Sequence, residues 1–315
     1  MKKPLIILTG PTAVGKTSLS IALAKAVNGE IISADSMQVY RHMDIGSAKI
    51  RPEEMQGVPH HLVDCLEPDE EFNVVRFQQM AKEAMEGIYA RGRIPVLVGG
   101  TGFYIQAVTG DIDFTVHGED ATYRRMLEEK AKTEGAQVLH EMLAAVDPAS
   151  AEAIHANNVK RVIRALEYYQ QTGKPISQHN EEQRQKESPY NLAYFVLNDD
   201  RSRLYERIDA RIDQMLDEGL IDEVKALKEM GYHKGMVSMQ GLGYKEILSY
   251  LDGTWSLEEA VYVLKRDTRH FAKRQITWFK RERQVEWFDK QEFGYDSQAI
   301  LDAMLASLRE KKIIE

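Results

Sequence analysis

Apolar residues fall along this chain in two alternating patterns, short unbroken runs and longer stretches with a helical period. The run Leu5-Ile6-Ile7-Leu8 predicts a buried strand, and Ser18 to Val27, with Leu19, Ala22, Leu23 and Ala26 on one face, predicts the helix that follows. Asn28-Gly29 is a stop signal, after which Glu30 to Asp35 predicts a second strand. Asn73 is the expected N-cap of a helix reaching Ala90, with Val74, Phe77, Met80, Ala84 and Ile88 inward. That helix feeds a third apolar run, Ile94 to Val98. Strands alternating with helices predict an α/β fold with a mostly parallel sheet.

From about Asp113 to Tyr190 the pattern becomes charged and helical. Tyr123 to Thr133, Ala136 to Ala145 and Ser150 to Thr172 each carry helical periodicity between turns at Gly135, Asp147-Pro148 and Gly173-Lys174-Pro175. An inserted all-helical subdomain, residues 113–190, is expected, with 1–112 and 191–315 forming the α/β core. A strand resumes at Leu192 to Leu197, and Asp199 or Asp200 caps a long helix. Ser256 and Glu259 form a capping box that opens another helix through about Arg281, followed by a strand at Val285 to Phe288 and a last helix from Ser297.

Composition narrows the class. The only cysteine is Cys65, so no internal disulfide forms and a reducing, cytoplasmic setting is expected. No stretch has the length and apolarity of a membrane span, and the N-terminus runs into the first strand without a signal-peptide pattern. A formal net charge of −8 argues against a strongly basic nucleic-acid binder, although local clusters decide what docks. One such cluster spans Leu264 to Gln284. It has eight Lys or Arg residues (Lys265, Arg266, Arg269, Lys273, Arg274, Lys280, Arg281, Arg283) against Asp267 and Glu282, with Phe271, Trp278 and Phe279 interleaved. Cations and rings in this mixture suit an RNA surface; the competing reading gives Trp278 and Phe279 to the core.

The first strand breaks into Gly10-Pro11-Thr12-Ala13-Val14-Gly15-Lys16-Thr17, the spacing of a phosphate-binding loop between strand and helix. Its N–H groups, the helix N-terminus and Lys16 would hold phosphate, and the Thr17 hydroxyl would serve Mg²⁺. The expected fold is therefore a P-loop NTPase-like core. Asp35 ends the second strand at the same crevice, either as a base or metal ligand or as a cap of the next turn. Gly99, Gly100 and Gly102 surround Thr101 at the end of the third strand, where they would let backbone approach a ligand. A motor or signalling NTPase would carry an acid there, so a chemistry other than NTP hydrolysis is indicated. Arg203, Arg207 and Arg211 recur at i, i+4, i+8, and neither Arg207 nor Arg211 has a carboxylate three or four residues away. A phosphate ligand or an acid on another helix must neutralise them. His60-His61 makes a zinc site conceivable, but no second ligand cluster completes it. Asn157 to Arg164 alternates basic and apolar residues, which suits either a phosphate backbone or a solvated face partnered by Glu167.

Six blocks taken in order resemble the bacterial tRNA dimethylallyltransferases, also called tRNA isopentenyltransferases. They are the phosphate loop, Ser33 to Tyr40, Gly57 to His61, Val98 to Gly102, Asn158 to Glu167 and Lys273 to Phe279. The resemblance implies transfer of a dimethylallyl group from dimethylallyl pyrophosphate to N6 of adenosine 37 in the tRNA anticodon stem-loop, with Mg²⁺ assisting, by a monomer. It implies that Gly10 to Thr17, Arg207 and Arg211 hold pyrophosphate, that Lys16 and Arg211 neutralise the leaving group, that Asp35 is the base and that Thr101 orients the amine. It also gives tRNA contacts to Asp35, Ser36, Met37, Gln38, Thr101, Arg124, Val159, Lys160, Arg161, Lys273 and Arg274. Two alternatives stand: a P-loop kinase of a nucleotide or small metabolite, and a non-catalytic RNA-binding protein whose loop senses a nucleotide.

Overall fold

The structure, a computed structural model, describes residues 2–114 and 121–315. Residues 115–120 of the expected insertion lie outside them. The chain divides into two compact units, Met1–Thr109 with Ser188–Glu315, and Gly110–Glu187.

The first unit is built on six parallel strands: β1 (Lys3–Thr9), β2 (Gly29–Ser33), β3 (His60–His61), β4 (Ile94–Gly99), β5 (Tyr190–Asn198) and β6 (Val285–Asp289). Their order across the sheet is β3-β2-β4-β1-β5-β6, which sets β1 in the interior between β4 and β5. That position explains the unbroken apolar run, since a central parallel strand is covered on both faces. Leu5, Ile6, Ile7 and Leu8 are fully buried. The loops after β1, β2 and β4 consequently share the carboxyl edge of neighbouring strands, where ligands of open α/β sheets bind.

Helices α1 (Lys16–Ala26), α2 (Val74–Ala90) and α3 (Gly102–Thr109) belong to this unit. Asn73 caps α2 by accepting from the Val75 and Arg76 amides, as expected. The buried stripe of α2 is rotated, however: Phe77, Gln78, Ala81, Met85 and Ile88 are inside, while Val74, Met80 and Ala84 flank the core. Gln78 is the cause, for it enters the core by donating to the Ala107 carbonyl of α3 at 2.7 Å. The His60-His61 pair forms β3 rather than a metal set. His60 Nδ1 is 2.8 Å from the Val58 carbonyl, and His61 Nε2 is 2.7 Å from buried Glu30, which Arg91 and Arg93 also hold.

The second unit comprises α4 (Ala121–Glu134), α5 (Ala136–Val146), α6 (Pro148–Ala153), α7 (Val159–Thr172) and α8 (Ile176–Gln185), packed on Leu127, Leu139, Leu143, Val162 and Leu166. The single helix expected over Ser150 to Thr172 is two, because Ile154 is extended between α6 and α7. At the other end of α6 its N-cap Asp147, which is 1% exposed, accepts from Ser150 and, at the start of α8, from Ser177. Returning to the first unit, Asp200 rather than Asp199 caps α9 (Arg201–Asp217), and α10 (Leu220–Glu229) follows Gly219. The stretch after Gly231 holds one 3₁₀ turn, Ser238–Gln240, and then starts α11 (Tyr244–Leu251). The Ser256 and Glu259 capping box opens α12 (Leu257–Phe279), and α13 (Ser297–Glu310) closes the chain.

Candidate active site

The phosphate loop turns between β1 and α1 through three residues of positive φ, Gly10 at 142°, Ala13 at 62° and Gly15 at 99°. Gly10 admits no side chain, since a Cβ there would lie 2.2 Å from the Leu197 carbonyl of β5. Buried Val14 and Pro11 anchor the loop, and Thr17 leaves its side chain exposed at the start of α1. Lys16 Nζ donates to the Gly10 and Pro11 carbonyls at 3.0 and 2.8 Å. Burial pushes its pKa down to about 8, against the pull of the Asp35 charge and with the help of Arg211. Outside the loop, Arg207 Nε donates to the Ala13 carbonyl at 2.8 Å and Lys290 Nζ to that of Val14 at 3.3 Å. Cations on outward carbonyls stabilise a curl that offers other N–H groups to an anion.

Asp35 follows β2 directly. One carboxylate oxygen, Oδ1, caps the next turn by accepting from Met37 N at 2.8 Å and Gln38 N at 3.3 Å. Among the described residues Oδ2 takes no hydrogen bond, so capping and chemistry divide between the two oxygens. Thr101 is tied to the same spot: its N–H donates to the carbonyl of Ala34, the residue before Asp35, at 3.2 Å. Ser36 is half-buried, and Met37 packs on Gly241, where a Cβ would come within 2.4 Å of its methyl group. Gln38 turns its amide into its own loop, donating to the Ala48 carbonyl at 3.1 Å.

The glycines around Thr101 serve packing, which accounts for them without a ligand. A Cβ on Gly99 would lie 2.2 Å from the Ala34 carbonyl, one on Gly100 2.1 Å from Gln275 Nε2, and one on Gly102 2.2 Å from the Trp278 ring. The basic helix α12 thus lies directly on the glycine loop. Phe279 is fully buried and Trp278 half-buried, as the core reading of these rings has it.

The arginine row on α9 separates by residue. Arg203 stacks over the Tyr295 ring at 3.9 Å, and Arg207 braces the phosphate loop. Arg211 forms no ion pair among the described residues. Burial lowers its pKa, Asp35 raises it, and Arg207 lowers it again. Lys16, Asp35 and Arg211 therefore share one electrostatic neighbourhood.

The basic stretch also divides. Lys265 pairs with Asp213 and Arg269 with Asp209, both on α9, and Arg266 with Asp267, so the first half of α12 is held within the protein. Lys273, Arg274, Thr277, Trp278, Arg281 and His270 line a cavity of about 450 Å³ along the second half. In the helical unit, Arg124 forms a two-pronged pair with buried Glu167 at 2.8 and 2.8 Å. That pair fastens α4 to α7 and takes Glu167 away from the basic face of α7. Val159 is half-buried, whereas Lys160, Arg161 and Arg164 are exposed on that helix.

Three contributors escaped sequence reasoning. Gln275 is buried and bonds both loops; Lys290 lies beyond the last strand; Glu223 on α10 accepts the Asp44, Ile45 and Gly46 amides and the Tyr244 hydroxyl, which pins the loop after Gln38. Lone polar residues far along the chain carry no local pattern. Gln275 alone had a signal, as an amide at an inward position of an amphipathic helix.

Comparison with known proteins gives concordant findings. The IPP transferase family model matches residues 38–282, and the Isopentenyl transferase model matches 3–65. A tRNA dimethylallyltransferase of Lachnoclostridium phytofermentans is 66% identical over 99% of this chain and 100% of its own length. One of Carboxydothermus hydrogenoformans is 53% identical over 92% and 93%. Among solved structures, the full-length tRNA isopentenylpyrophosphate transferase of Bacillus halodurans shares 48% identity and a TM-score of 0.74, covering 99% of this chain and 98% of that one. A eukaryotic dimethylallyltransferase acting on tRNA shares 32% identity and a TM-score of 0.79, covering 91% and 74%.

Proposed function

The chain belongs to the IPP transferase family, and from that premise we propose how its carboxyl-edge site works. The reaction is transfer of a dimethylallyl group from dimethylallyl pyrophosphate to N6 of adenosine 37 of tRNA, with release of pyrophosphate. The observation that supports the site assignment is the common neighbourhood of Lys16, Asp35 and Arg211 beside the phosphate loop. Relatives covering nearly the whole chain are named as dimethylallyltransferases of tRNA, and the kinase alternative falls away.

As the allylic C–O bond breaks, its electron pair goes to pyrophosphate. Lys16 and Arg211 stand where that charge grows, already partly desolvated, which strengthens their interaction with it. Arg207 and Lys290 hold the loop from outside. The adenine N6 lone pair forms the new C–N bond, and N6 passes a proton to Asp35 Oδ2, the oxygen that capping leaves available. The Thr101 hydroxyl orients the amine. The target base must leave its stack to reach this edge.

The donor set suits Mg²⁺, because a cation that keeps most of its waters needs one protein oxygen and substrate phosphate rather than a carboxylate cage. Thr17 supplies an exposed hydroxyl at the loop, and among the described residues no cluster of three His, Cys, Asp or Glu competes for the ion. Mg²⁺ bound there would neutralise the departing pyrophosphate. In this reading the protein acts as a cytoplasmic monomer on the anticodon stem-loop. The tRNA contacts assigned in this reading are Lys273 and Arg274 on α12 and Lys160 and Arg161, flanked by Val159, on α7. Among the described residues, no helix is long and apolar enough to cross a membrane.

The test is incubation of the protein with Mg²⁺, dimethylallyl pyrophosphate and unmodified tRNA, followed by nucleoside mass analysis, with Asp35→Asn in parallel. Adenosine should gain a dimethylallyl mass, and Asp35→Asn should lose about 10²- to 10⁴-fold in kcat, the range of a positioned base. Wild-type rates in Asp35→Asn would remove Asp35 from the chemistry.

A further inference from the structure

Gln275 sits on α12 next to Lys273 and Arg274 in sequence but on the opposite, buried side, with 6% of its surface exposed. Its Oε1 accepts the Thr12 N–H of the phosphate loop at 2.9 Å, and its Nε2 donates to the Gly100 carbonyl at 2.9 Å. Donor meets carbonyl and acceptor meets N–H, so the amide has only one consistent orientation. Thr12 belongs to the loop that takes pyrophosphate, and Gly100 immediately precedes Thr101. One side chain thus bridges the two loops.

The close approach at Gly100 makes this bridge stiff, as no larger residue fits between loop and amide. Trp278, one turn further along α12, seats on Gly102 in the same way, so the helix clamps Thr101 from both flanks. Burying an amide is unfavourable unless both ends are bonded, and an apolar residue would fill the space without that cost. The polar side chain therefore answers to the two loops rather than to packing.

We propose that Gln275 is a positioning residue that sets the spacing between the phosphate loop and the Thr101 loop, and so between the allylic carbon and adenine N6. Nucleophile and allylic carbon react only from near-contact geometry, and a misplacement of about 1 Å costs on the order of 10²-fold in rate. Gln275 touches neither reactant. Its loss leaves each loop able to bind its ligand while relaxing the distance between them.

The inference rests on the transfer reaction proposed above. It is tested with the full chain by steady-state kinetics on unmodified tRNA and dimethylallyl pyrophosphate, comparing wild type with Gln275→Met, which keeps length without either hydrogen bond. The expected result is a fall in kcat of about a hundredfold with both KM values within about threefold of wild type. Gln275→Leu, which likewise removes both hydrogen bonds without adding charge, should fall similarly and serves if Gln275→Met fails to fold. Inorganic pyrophosphate should inhibit wild type and variants alike, which reports an intact phosphate loop. An unchanged kcat, or a loss confined to KM, overturns the positioning role. Absence of transfer by wild type would instead overturn the reaction itself.

Discussion

Lys16 carries the most testable electrostatics of the site. Its pKa near 8 lies below the ordinary 10.5 because burial disfavours its charge, so the free protein gains stability as pH rises from about 8 towards 10.5. A bound polyanion reverses the balance by favouring the ammonium. Affinity for pyrophosphate should therefore weaken above about pH 8, by up to about tenfold per pH unit, as binding has to take up a proton. Titrations from pH 7 to 9.5 would show it, with Lys16→Gln giving weaker and flatter binding. The residues of this site were legible where chemistry has a fixed spacing, as in the Gly10 to Thr17 loop, or a fixed place, as with Asp35 at a strand end. At glycines 99, 100 and 102 a sequence shows that room is needed but not what fills it, which in the structure is the Ala34 carbonyl, Gln275 and Trp278.

Helices show where periodicity misleads. Apolar spacing placed α2 and α7, but it could not see that Gln78 would be core or that the chain would turn extended at Ile154 and break one helix into two. Asp147 is a cap whose value lies in bonds to distant Ser177 as well as local Ser150. Burial pushes its pKa up, yet the hydrogen bonds from Ser177 and Ser150 outweigh that and hold the carboxyl below the ordinary range. Its stabilisation is thus present above pH about 4 and lost as pH falls through the lowered value. Asp147→Ala should cost about 2 kcal/mol, the sum of a lost cap and buried hydroxyls left unpartnered, measured by denaturant unfolding. An unchanged midpoint would make the start of α6 and its tie to α8 independent of that carboxylate. The α8 segment was invisible in sequence, since Ile176–Gln185 has almost no apolar residue to mark a face.

Taken whole, the molecule is acidic yet presents exposed cations on α12 and α7, an asymmetry that a net charge of −8 hides. Binding of tRNA should weaken steeply with salt, and Lys273→Ala with Arg274→Ala should flatten the plot of log K against log salt by about 1.5. Equal slopes would place RNA away from α12. The sheet order has a consequence for the newborn chain. β1 leaves the ribosome first, but its partner β5 pairs Tyr190 with Lys3, with the whole helical unit made in between. At 5–20 residues per second, roughly 10–40 s pass with one edge of the most apolar strand unpaired. The helical unit, rich in local contacts, can fold during that wait, whereas the sheet cannot close until it is over. Synthesis that stalls before Tyr190 leaves a sticky, half-built sheet, so translation speed through the middle of the message becomes a determinant of yield.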